Sequence, residues 1–436
     1  MPSKDEIIKQ SREHCLHGWG YSPIVFVEGK GAIVRDIDGK EYIDALGQTA
    51  GVLGIGHSHP KYVKAVQDQV AKISHTLTMF TNPPRAELAK KLSDIAPGKM
   101  KGNAMSYFSC GGTEANETAL KLAMQITGRR EAISVHYSYH GGTLAMMSLL
   151  GQSYIIKGYP RFPGFSQIPN AYCYRCVYGK EYPGCDFECA RALEQQVKYG
   201  ATEDGVAAFI LEPIQGNGGH QCPPDPEYFK IIRETCDKYG IFFIADEIQT
   251  GMGRTGKIWA CDYYGVTPDI FTTAKAIGGG MPVSATVINK DHVPKDMPDS
   301  QWHIFTFGGG PVLCAAANAT IDVMQEEKLA DKAAAQGKRM TKRLLEMQED
   351  HKIIGDVRGP GLFIGVELVK DRKTKAPAID EAGEAFVKAL EKGVFFGVSN
   401  IGGVGNIIKL KPPLSITDEQ ADKVLDVLDE VLKEIA

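Results

Sequence analysis

Two residues at the ends of apolar segments could carry chemistry. Lys275 closes the segment DIFTTAK, and Asp246 closes the run IFFIAD. Lysine is rarely buried unless it is paired or functional, and a desolvated lysine has a lowered pKa and can condense with an aldehyde. A carboxylate at a strand end has a raised pKa unless a cation, such as a protonated pyridine nitrogen, meets it. Taken singly, each residue is explained as well by a solvent-reaching lysine or a surface salt bridge.

Two further segments could hold a flat anionic ligand. Cys110, Gly111, Gly112 and Thr113 lie between a predicted strand and a predicted helix. Glycines let backbone N–H groups approach a ligand, and a helix N-terminus attracts anions, so this segment could cradle a phosphate. Tyr139 follows the apolar stretch AISVHYS and could stack on a ring. The simpler interpretations are a tight turn and ordinary aromatic packing.

The elements that position these residues alternate between strands and helices. Strands are indicated by apolar runs such as AISVHY, VAAFILEPI and IFFIADEI, which suit a parallel sheet buried on both faces. Between two of them a helix is predicted, with Asp225 as cap, Pro226 as first residue and Gly240 as terminator. The pattern predicts an α/β fold with a mostly parallel sheet flanked by helices, and such sheets bind ligands at the carboxyl ends of their strands.

The 436-residue length predicts two domains. The large domain is expected at residues 56–319. A small α/β domain is expected to be built from both termini, residues 1–55 and 320–436. Its N-terminal part contains the strand-like IVFVEGKGAIVRDIDGKEYIDAL, and its last helix is opened by a Thr417 to Gln420 capping box.

Composition excludes several classes of protein. The net charge of −4 gives no electrostatic basis for binding nucleic acid. The N-terminus lacks the apolar core of a signal peptide, and no apolar stretch is long enough for a membrane span. The ten cysteines are mostly scattered, which is typical of free thiols in a reducing cytoplasm.

A nucleotide-binding motif competes with this interpretation. Residues 251–256, GMGRTG, match the G-x-G-x-x-G pattern. A Rossmann fingerprint needs a helix to begin inside the motif, but the following KIWACDYYGVTPD has no amphipathic run. Binding of a nicotinamide or flavin is therefore not expected.

In combination, Asp246, Lys275 and the glycine-threonine segment resemble the class III aminotransferases. These are enzymes of fold type I that use pyridoxal 5′-phosphate (PLP), and the resemblance extends along nearly the whole chain. Similar blocks occur in the family's order: FILEPIQGNGG, FIADEIQTGMGRTGK, TTAKAIGGGMPVSA, FTFGGGPVLCAA and DVRGPGLFIGVEL.

The resemblance implies roles for a set of site residues. Lys275 would form a Schiff base with PLP and move the substrate proton, and Asp246 would bond the pyridine nitrogen. Gln249 would lie near the ring hydroxyl, and Thr306 would reach the phosphate of the partner subunit's cofactor. The enzyme would thus be a homodimer with shared active sites, and a tetramer stays open. The remaining cofactor-binding residues implied are Gly111, Gly112, Thr113, Tyr139, His140 and Glu212.

Three positions depart from the family's common pattern or bear on its reaction type. Asn217 stands where many members using α-ketoglutarate carry a glutamate, and Lys409 stands where they carry an arginine. Lysine does not grip a carboxylate bidentately, so the usual carboxylate site is expected to be rebuilt. Gln48 matches a glutamine that handles the substrate carboxylate in the dialkylglycine decarboxylase branch. All three are expected to contact the substrate.

The leading hypothesis is transfer of an amino group from an amino acid or amine to a 2-oxo acid such as pyruvate or glyoxylate. A PLP-dependent racemase, decarboxylase or lyase of the same family is the alternative, and a non-catalytic scaffold is a remote one. The substrate side chain and the stereochemistry stay open.

Four cysteines form a separate cluster at positions 173, 176, 185 and 189. Two close thiol pairs could bind zinc tetrahedrally, but their spacing is irregular for a zinc ribbon. We expect no metal, and we treat the segment as a loop.

Overall fold

The computed structural model describes residues 2–18, 21–152, 155–202, 205–401 and 404–435. The N-terminal part begins with a capped helix and three short antiparallel strands, as the alternating pattern predicts. A turn, Gly47–Gly51, follows the third strand, and Gln48, Thr49 and Ala50 within it have non-helical backbone angles. These first elements are α1 (Lys4–His14), β1 (Phe26–Lys30), β2 (Ile33–Asp36) and β3 (Glu41–Asp44).

A seven-stranded sheet forms the centre of the molecule. Its strands are β4 (Ala104–Ser109), β5 (Glu131–Val135), β6 (Phe165–Ile168), β7 (Val206–Leu211), β8 (Phe242–Asp246), β9 (Ile270–Thr273) and β10 (Ser284–Asn289). Their order is β4-β10-β9-β8-β7-β5-β6. Pairing is parallel from β9 to β6, and β10 is antiparallel to both of its neighbours. The predicted mostly parallel sheet is confirmed.

Helices cover this sheet. Helix α4 (Gly112–Thr127) packs against the sheet through buried residues that include Ala115 and Ala119. The helices of this region are α2 (Pro60–Val70), α3 (Pro83–Asp94), α4 (Gly112–Thr127), α5 (Leu144–Met147), α6 (Glu188–Gly200), α7 (Glu227–Tyr239), α8 (Ala260–Tyr264) and α9 (Pro311–Glu326).

The C-terminal part completes two smaller sheets. Its elements are α10 (Leu329–Asp350), β11 (Ile354–Arg358), β12 (Ile364–Asp371), β13 (Ala376–Pro377), α11 (Ile379–Glu391), β14 (Val394–Phe395), β15 (Gly397–Ile401), β16 (Val404–Leu410) and α12 (Asp418–Ile435). One sheet has the order β1-β2-β3-β14, and the other the order β11-β12-β16-β15 with β13 paired to β12.

Local helix signals agree closely with the structure. The Thr417 to Gln420 capping box forms, with reciprocal backbone to side-chain hydrogen bonds of 3.1 and 3.3 Å. Gly240 ends α7 in the left-handed conformation. The start of α7 differs by one residue from the prediction. Asp225 accepts a hydrogen bond from the N–H of Glu227, so the helix begins at Glu227 and Pro226 precedes it.

The predicted domain boundaries at residues 55/56 and 319/320 stay a prediction. Strand β14, from the C-terminal part, pairs in parallel with β3 near the N-terminus. Helix α9 runs across position 319 without a break. Within the described ranges, no helix has both the length and the apolar character needed to cross a membrane.

Candidate active site

Five chain segments bring polar residues to one edge of the central sheet. Strands β4, β5, β7, β8 and β9 all end at this edge, because β5, β7, β8 and β9 are parallel to one another, and β4 and β9 are both antiparallel to β10. The predicted cofactor residues other than Thr306 follow these strand ends or, in the case of Asp246, close the strand. Parallel α/β sheets bind ligands at such an edge.

Lys275 follows β9 and opens a short 3-10 helix, Lys275–Gly278. Its backbone is left-handed, with φ of 51°, which is uncommon for a residue with a side chain. Burial lowers the pKa of Lys275, and the carboxylates of Asp246 and Glu212 oppose that shift. A larger share of neutral amine favours attack on an aldehyde.

Asp246 is buried at the last position of β8, and three polar groups surround its carboxylate. Its Oδ2 accepts a hydrogen bond of 2.8 Å from Asn116 Nδ2 and lies 2.8 Å from His140 Nδ1. Its Oδ1 accepts from the N–H of Ile248 at 3.1 Å. Asn116 is itself fixed by Thr272, whose hydroxyl donates to Asn116 Oδ1. This support keeps the carboxylate in a single orientation.

Glu212 and His140 flank that carboxylate. Burial, and secondly repulsion by Asp246, raises the pKa of Glu212 to about 7. Glu212 accepts hydrogen bonds from the N–H groups of Tyr139 at 2.9 Å and Gly216 at 2.8 Å, and so ties the loop after β5 to the loop after β7. Because Glu212 stabilises two loops, a supporting role explains its contacts.

The predicted anion cup lies at the start of α4. The carboxylate of Glu114 accepts from the N–H groups of Cys110 at 2.7 Å and Gly111 at 3.0 Å. The amides of Gly112 and Thr113 belong to the first helical turn, which has no intrahelical acceptors for them. A Cβ on Gly112 would lie 2.7 Å from the end of the Ile248 side chain, so a larger residue here would require Ile248 to move.

These residues enclose a cavity of about 180 Å³. Its lining includes all the predicted cofactor residues except Thr306 and Gly111, and Gly111 is next to the lining residue Gly112 in the chain. A larger cleft of about 560 Å³ lies beside α7, but it is open and lined by surface charges such as Lys230 and Glu234, so size alone does not locate the site. The cavity is lined by Gly112, Thr113, Tyr139, His140, Gly141, Glu212, Asp246, Ile248, Gln249 and Lys275.

The residues present fit PLP. The buried Nε2 of His140 has no hydrogen-bond partner within the described residues, so the site contains a polar atom left for further interaction. Lys275, Asp246 and the free amides of Gly112 and Thr113 offer an amine, a carboxylate and anion-binding N–H groups around one cavity. They match the aldehyde, the ring nitrogen and the phosphate of PLP.

The predicted substrate residues lie outside this cavity lining. Burial lowers the pKa of Lys409 to about 8. Asn217 is buried, and its carbonyl accepts from the Ser399 hydroxyl at 2.7 Å. Gln48 lies in the turn Gly47–Gly51 with φ of 60°, and its Nε2 donates to Asp44 at 3.2 Å. Thr306 is exposed in a turn of the single chain.

Two residues of the site, Asn116 and Lys411, are not among those predicted from the sequence. Asn116 lies on the buried face of α4, where its polar side chain supports Asp246. Lys411 is buried and donates a hydrogen bond of 2.8 Å to Gln249 Oε1. The sequence contains a signal for Lys411, because it lies two positions after Lys409 in an extended segment, so both side chains point to the same face.

The four cysteines of the cluster line a separate small pocket together with Tyr178 and Tyr182. Burial raises the pKa of Cys173 to about 11 and that of Cys189 to about 12, with the neighbouring thiols adding to both shifts. Across the described residues, no group of three or more His, Cys, Asp or Glu side chains is arranged to hold a metal ion.

Known proteins resemble this chain over its whole length. Residues 17–432 match the family described as Aminotransferase class-III. A leucine/methionine racemase from Thermococcus litoralis is 39% identical, over 95% of this chain and 92% of the relative. A 5-aminovalerate aminotransferase from Pseudomonas putida is 38% identical, over 100% of each protein. The structure of a Bacillus anthracis aminotransferase matches with a TM-score of 0.93 and 32% identity, over 100% of each chain. The chain therefore belongs to the class III aminotransferase family and is a PLP-dependent aminotransferase.

Proposed function

We propose that the enzyme transfers an amino group from an amino acid or amine to a short 2-oxo acid such as pyruvate or glyoxylate, using Lys275. The observation that carries this proposal is the shared cavity of Lys275 and Asp246, with the start of α4 on its wall. When bound, PLP supplies an electron-accepting ring and an aldehyde that exchanges amino groups. A non-catalytic scaffold would not need a lysine whose pKa is lowered by burial beside two carboxylates.

The chain's own residues divide the work around the cofactor. Asp246 would hold a proton at the ring nitrogen, since its carboxylate is fixed at the cavity wall by Asn116 and His140. The amides of Gly112 and Thr113 would bind the phosphate, and Tyr139 would cover one ring face. Lys275, whose pKa is lowered by burial, would accept a proton from the substrate Cα and return it to the cofactor carbon.

The choice of acceptor rests on the substrate side of the site. Lys409 offers a single ammonium group in place of a bidentate guanidinium, and Asn217 has no negative charge with which to hold an arginine. A two-carboxylate acceptor such as α-ketoglutarate would then lack its usual second anchor. Gln48, Lys409 and Asn217 are proposed to contact a substrate with one carboxylate.

Racemisation is the second candidate, because one relative at 39% identity is a leucine/methionine racemase. The two reactions separate when the enzyme receives an amino donor alone, in deuterium oxide. An aminotransferase is expected to lose the visible absorption of bound PLP stoichiometrically and to release the oxo product of the donor, a 2-oxo acid in the case of an amino acid, and pyruvate should restore the absorption. Persistent absorption together with deuterium at Cα and loss of optical activity would support a racemase and contradict the proposal.

We further propose a cytoplasmic homodimer. All ten cysteines are free thiols, as a reducing compartment allows. Exposed apolar side chains surround the segment that contains Thr306: Leu77, Met79, Phe80, Ile304 and Phe307. The His75 and Phe307 rings, 5.5 Å apart, join the two segments into one patch, and such patches mark interfaces.

The contribution of Thr306 to the partner's site has a direct test. Heterodimers of T306A and K275A subunits should contain one fully wild-type site, because the T306A subunit keeps Lys275 and receives Thr306 from its partner. We expect that site to bind PLP with wild-type affinity, whereas T306A homodimers bind it about tenfold more weakly through loss of one charge-assisted hydrogen bond. Equal weakening in the heterodimer would contradict a shared site, and monomers in light scattering would contradict the dimer.

A further inference from the structure

Gln249 presents its amide to the active-site cavity, and Lys411 lies behind it. Lys411 Nζ donates a hydrogen bond of 2.8 Å to Gln249 Oε1. The amide oxygen and nitrogen of glutamine have nearly the same shape, so only the hydrogen-bond partners determine which of them faces a ligand. A lysine amine that donates must meet the oxygen, and the NH₂ group is then left to donate elsewhere.

The surroundings leave Gln249 little freedom. A Cβ on Gly216 would come within 2.2 Å of Gln249 Oε1, so the backbone of Gly216 closes one side of the amide. The carbonyl of Gly216 also accepts from Lys411 Nζ at 3.4 Å. The amide is thus enclosed between one backbone segment and one lysine, and its cavity side is the side left open.

We propose that Lys411 is a positioning residue, which fixes the Gln249 amide so that its NH₂ group donates to the ring oxygen of bound PLP. This inference rests on the proposed placement of the cofactor. It assigns Lys411 an action through Gln249 and not through contact with the substrate.

The burial of Lys411 supports a role beyond packing. Lys411 is fully buried, and its Nζ lies 4.2 Å from the centre of the Phe363 ring, while its polar contacts are an amide and a carbonyl oxygen. Burial is costly for a lysine without a bonded carboxylate, and such residues persist where they have a function. Because Nζ carries hydrogen both as an ammonium group and as a neutral amine, Lys411 can donate to Gln249 Oε1 in either protonation state.

The charged groups facing Lys411 come from several elements. Burial lowers the pKa of Lys411 well below its usual range, and Lys409, Arg254 and Lys275 lower it further, while Glu212 opposes them. The buried His220 also lies near enough for Lys411 to lower its pKa. A test must therefore separate the hydrogen bond to Gln249 from the loss of one positive charge in this group.

The test uses the PLP-loaded enzyme and its visible absorption as a function of pH. A donor on the ring oxygen makes that oxygen less basic, so its loss should raise the pH midpoint of the bound chromophore. For K411M we expect a rise of about one pH unit and an approximately tenfold weaker dissociation constant for PLP. In a Q249L background, K411M should add almost no further shift, because coupled residues are not additive.

K409M is the matched control. It removes a neighbouring buried charge, and Lys409 has no hydrogen bond to Gln249 among the described contacts. Its midpoint should stay close to wild type. A K411M midpoint equal to wild type, a shift equal to that of K409M, or an undiminished shift in the Q249L background would overturn the inference.

Folding is checked on the cofactor-free proteins by circular dichroism and thermal melting. If K411M does not fold, K411Q serves instead, because its shorter amide cannot keep the same contact with Gln249. A different result contradicts the proposed function itself: wild-type enzyme mixed with PLP that does not acquire the visible absorption of a cofactor attached to Lys275. A wild-type spectrum with an unshifted Lys411 variant rejects only the role of Lys411.

Discussion

Replacing Lys275 with alanine is expected to reduce steady-state transamination by about 10⁴-fold or more, because one side chain supplies both the nucleophile and the proton carrier. The partly buried amine beside Asp246 and Glu212 is suited to both tasks, since its pKa is lowered by burial. The variant should still bind PLP without a covalent link, because Gly112, Thr113 and Asp246 are unchanged.

The measurement combines kinetics with chemical trapping. Borohydride reduction followed by peptide mass spectrometry should attach the cofactor to Lys275 in the wild type and to no residue in K275A. K275R keeps the positive charge and should be as inactive as K275A, whereas K290A, at an exposed position outside the cavity, should be fully active. Multiple turnovers by K275A at the wild-type rate would remove Lys275 from the mechanism.

Small amines add a second measure of the same role. A soluble primary amine can enter the space vacated by the lysine side chain and carry the proton, so added methylamine should restore part of the rate of K275A. The restoration should rise with pH, because neutral amine is the active form. No restoration at any amine concentration would restrict Lys275 to covalent attachment.

Much of the fold is predictable from the sequence for a local reason. Strands buried on both faces must be apolar at nearly every residue, and β7 and β8 are read directly from that pattern. Caps are equally local, as the Thr417 hydroxyl bond to the N–H of Gln420 shows. Strand order is not local. The insertion of antiparallel β10 between β4 and β9 depends on long-range packing that no short window contains.

The site residues also differ in whether a local sequence signal identifies them. Lys275 and Asp246 stand at strand ends, where their apolar neighbours make them conspicuous, and the parallel sheet brings those ends together. Asn116 lies among alanines on α4, and its importance arises only when that helix crosses β8. The function of Lys411 likewise depends on Gln249, which is 162 residues away in the sequence.

Asp246→Asn is expected to slow the half-reaction with an amino donor by about 10³-fold while leaving most of the PLP bound. A neutral amide cannot hold a proton at the ring nitrogen, so the negative charge that develops at the substrate Cα is less well stabilised. The fixed charge of a buried carboxylate such as Asp246 is worth several kcal/mol in a site of this kind. The asparagine NH₂ group would also face either the Asn116 side-chain amide or the Ile248 N–H, both of which are donors, and this should lower the free energy of unfolding by about 1–2 kcal/mol.

Glu247 offers a matched control next to Asp246 in the chain. It is equally buried, and burial raises the pKa of Glu247 to about 7, but it accepts hydrogen bonds from Thr250 and from the N–H of Cys261, away from the cavity. E247Q should therefore react at the wild-type rate in rapid-mixing absorption measurements. Because both variants replace a buried carboxyl group by an amide, a general effect of the substitution would slow them alike. A slow D246N beside a normal E247Q would assign the effect to the cavity-facing carboxylate, and a wild-type rate in D246N would separate Asp246 from the ring nitrogen.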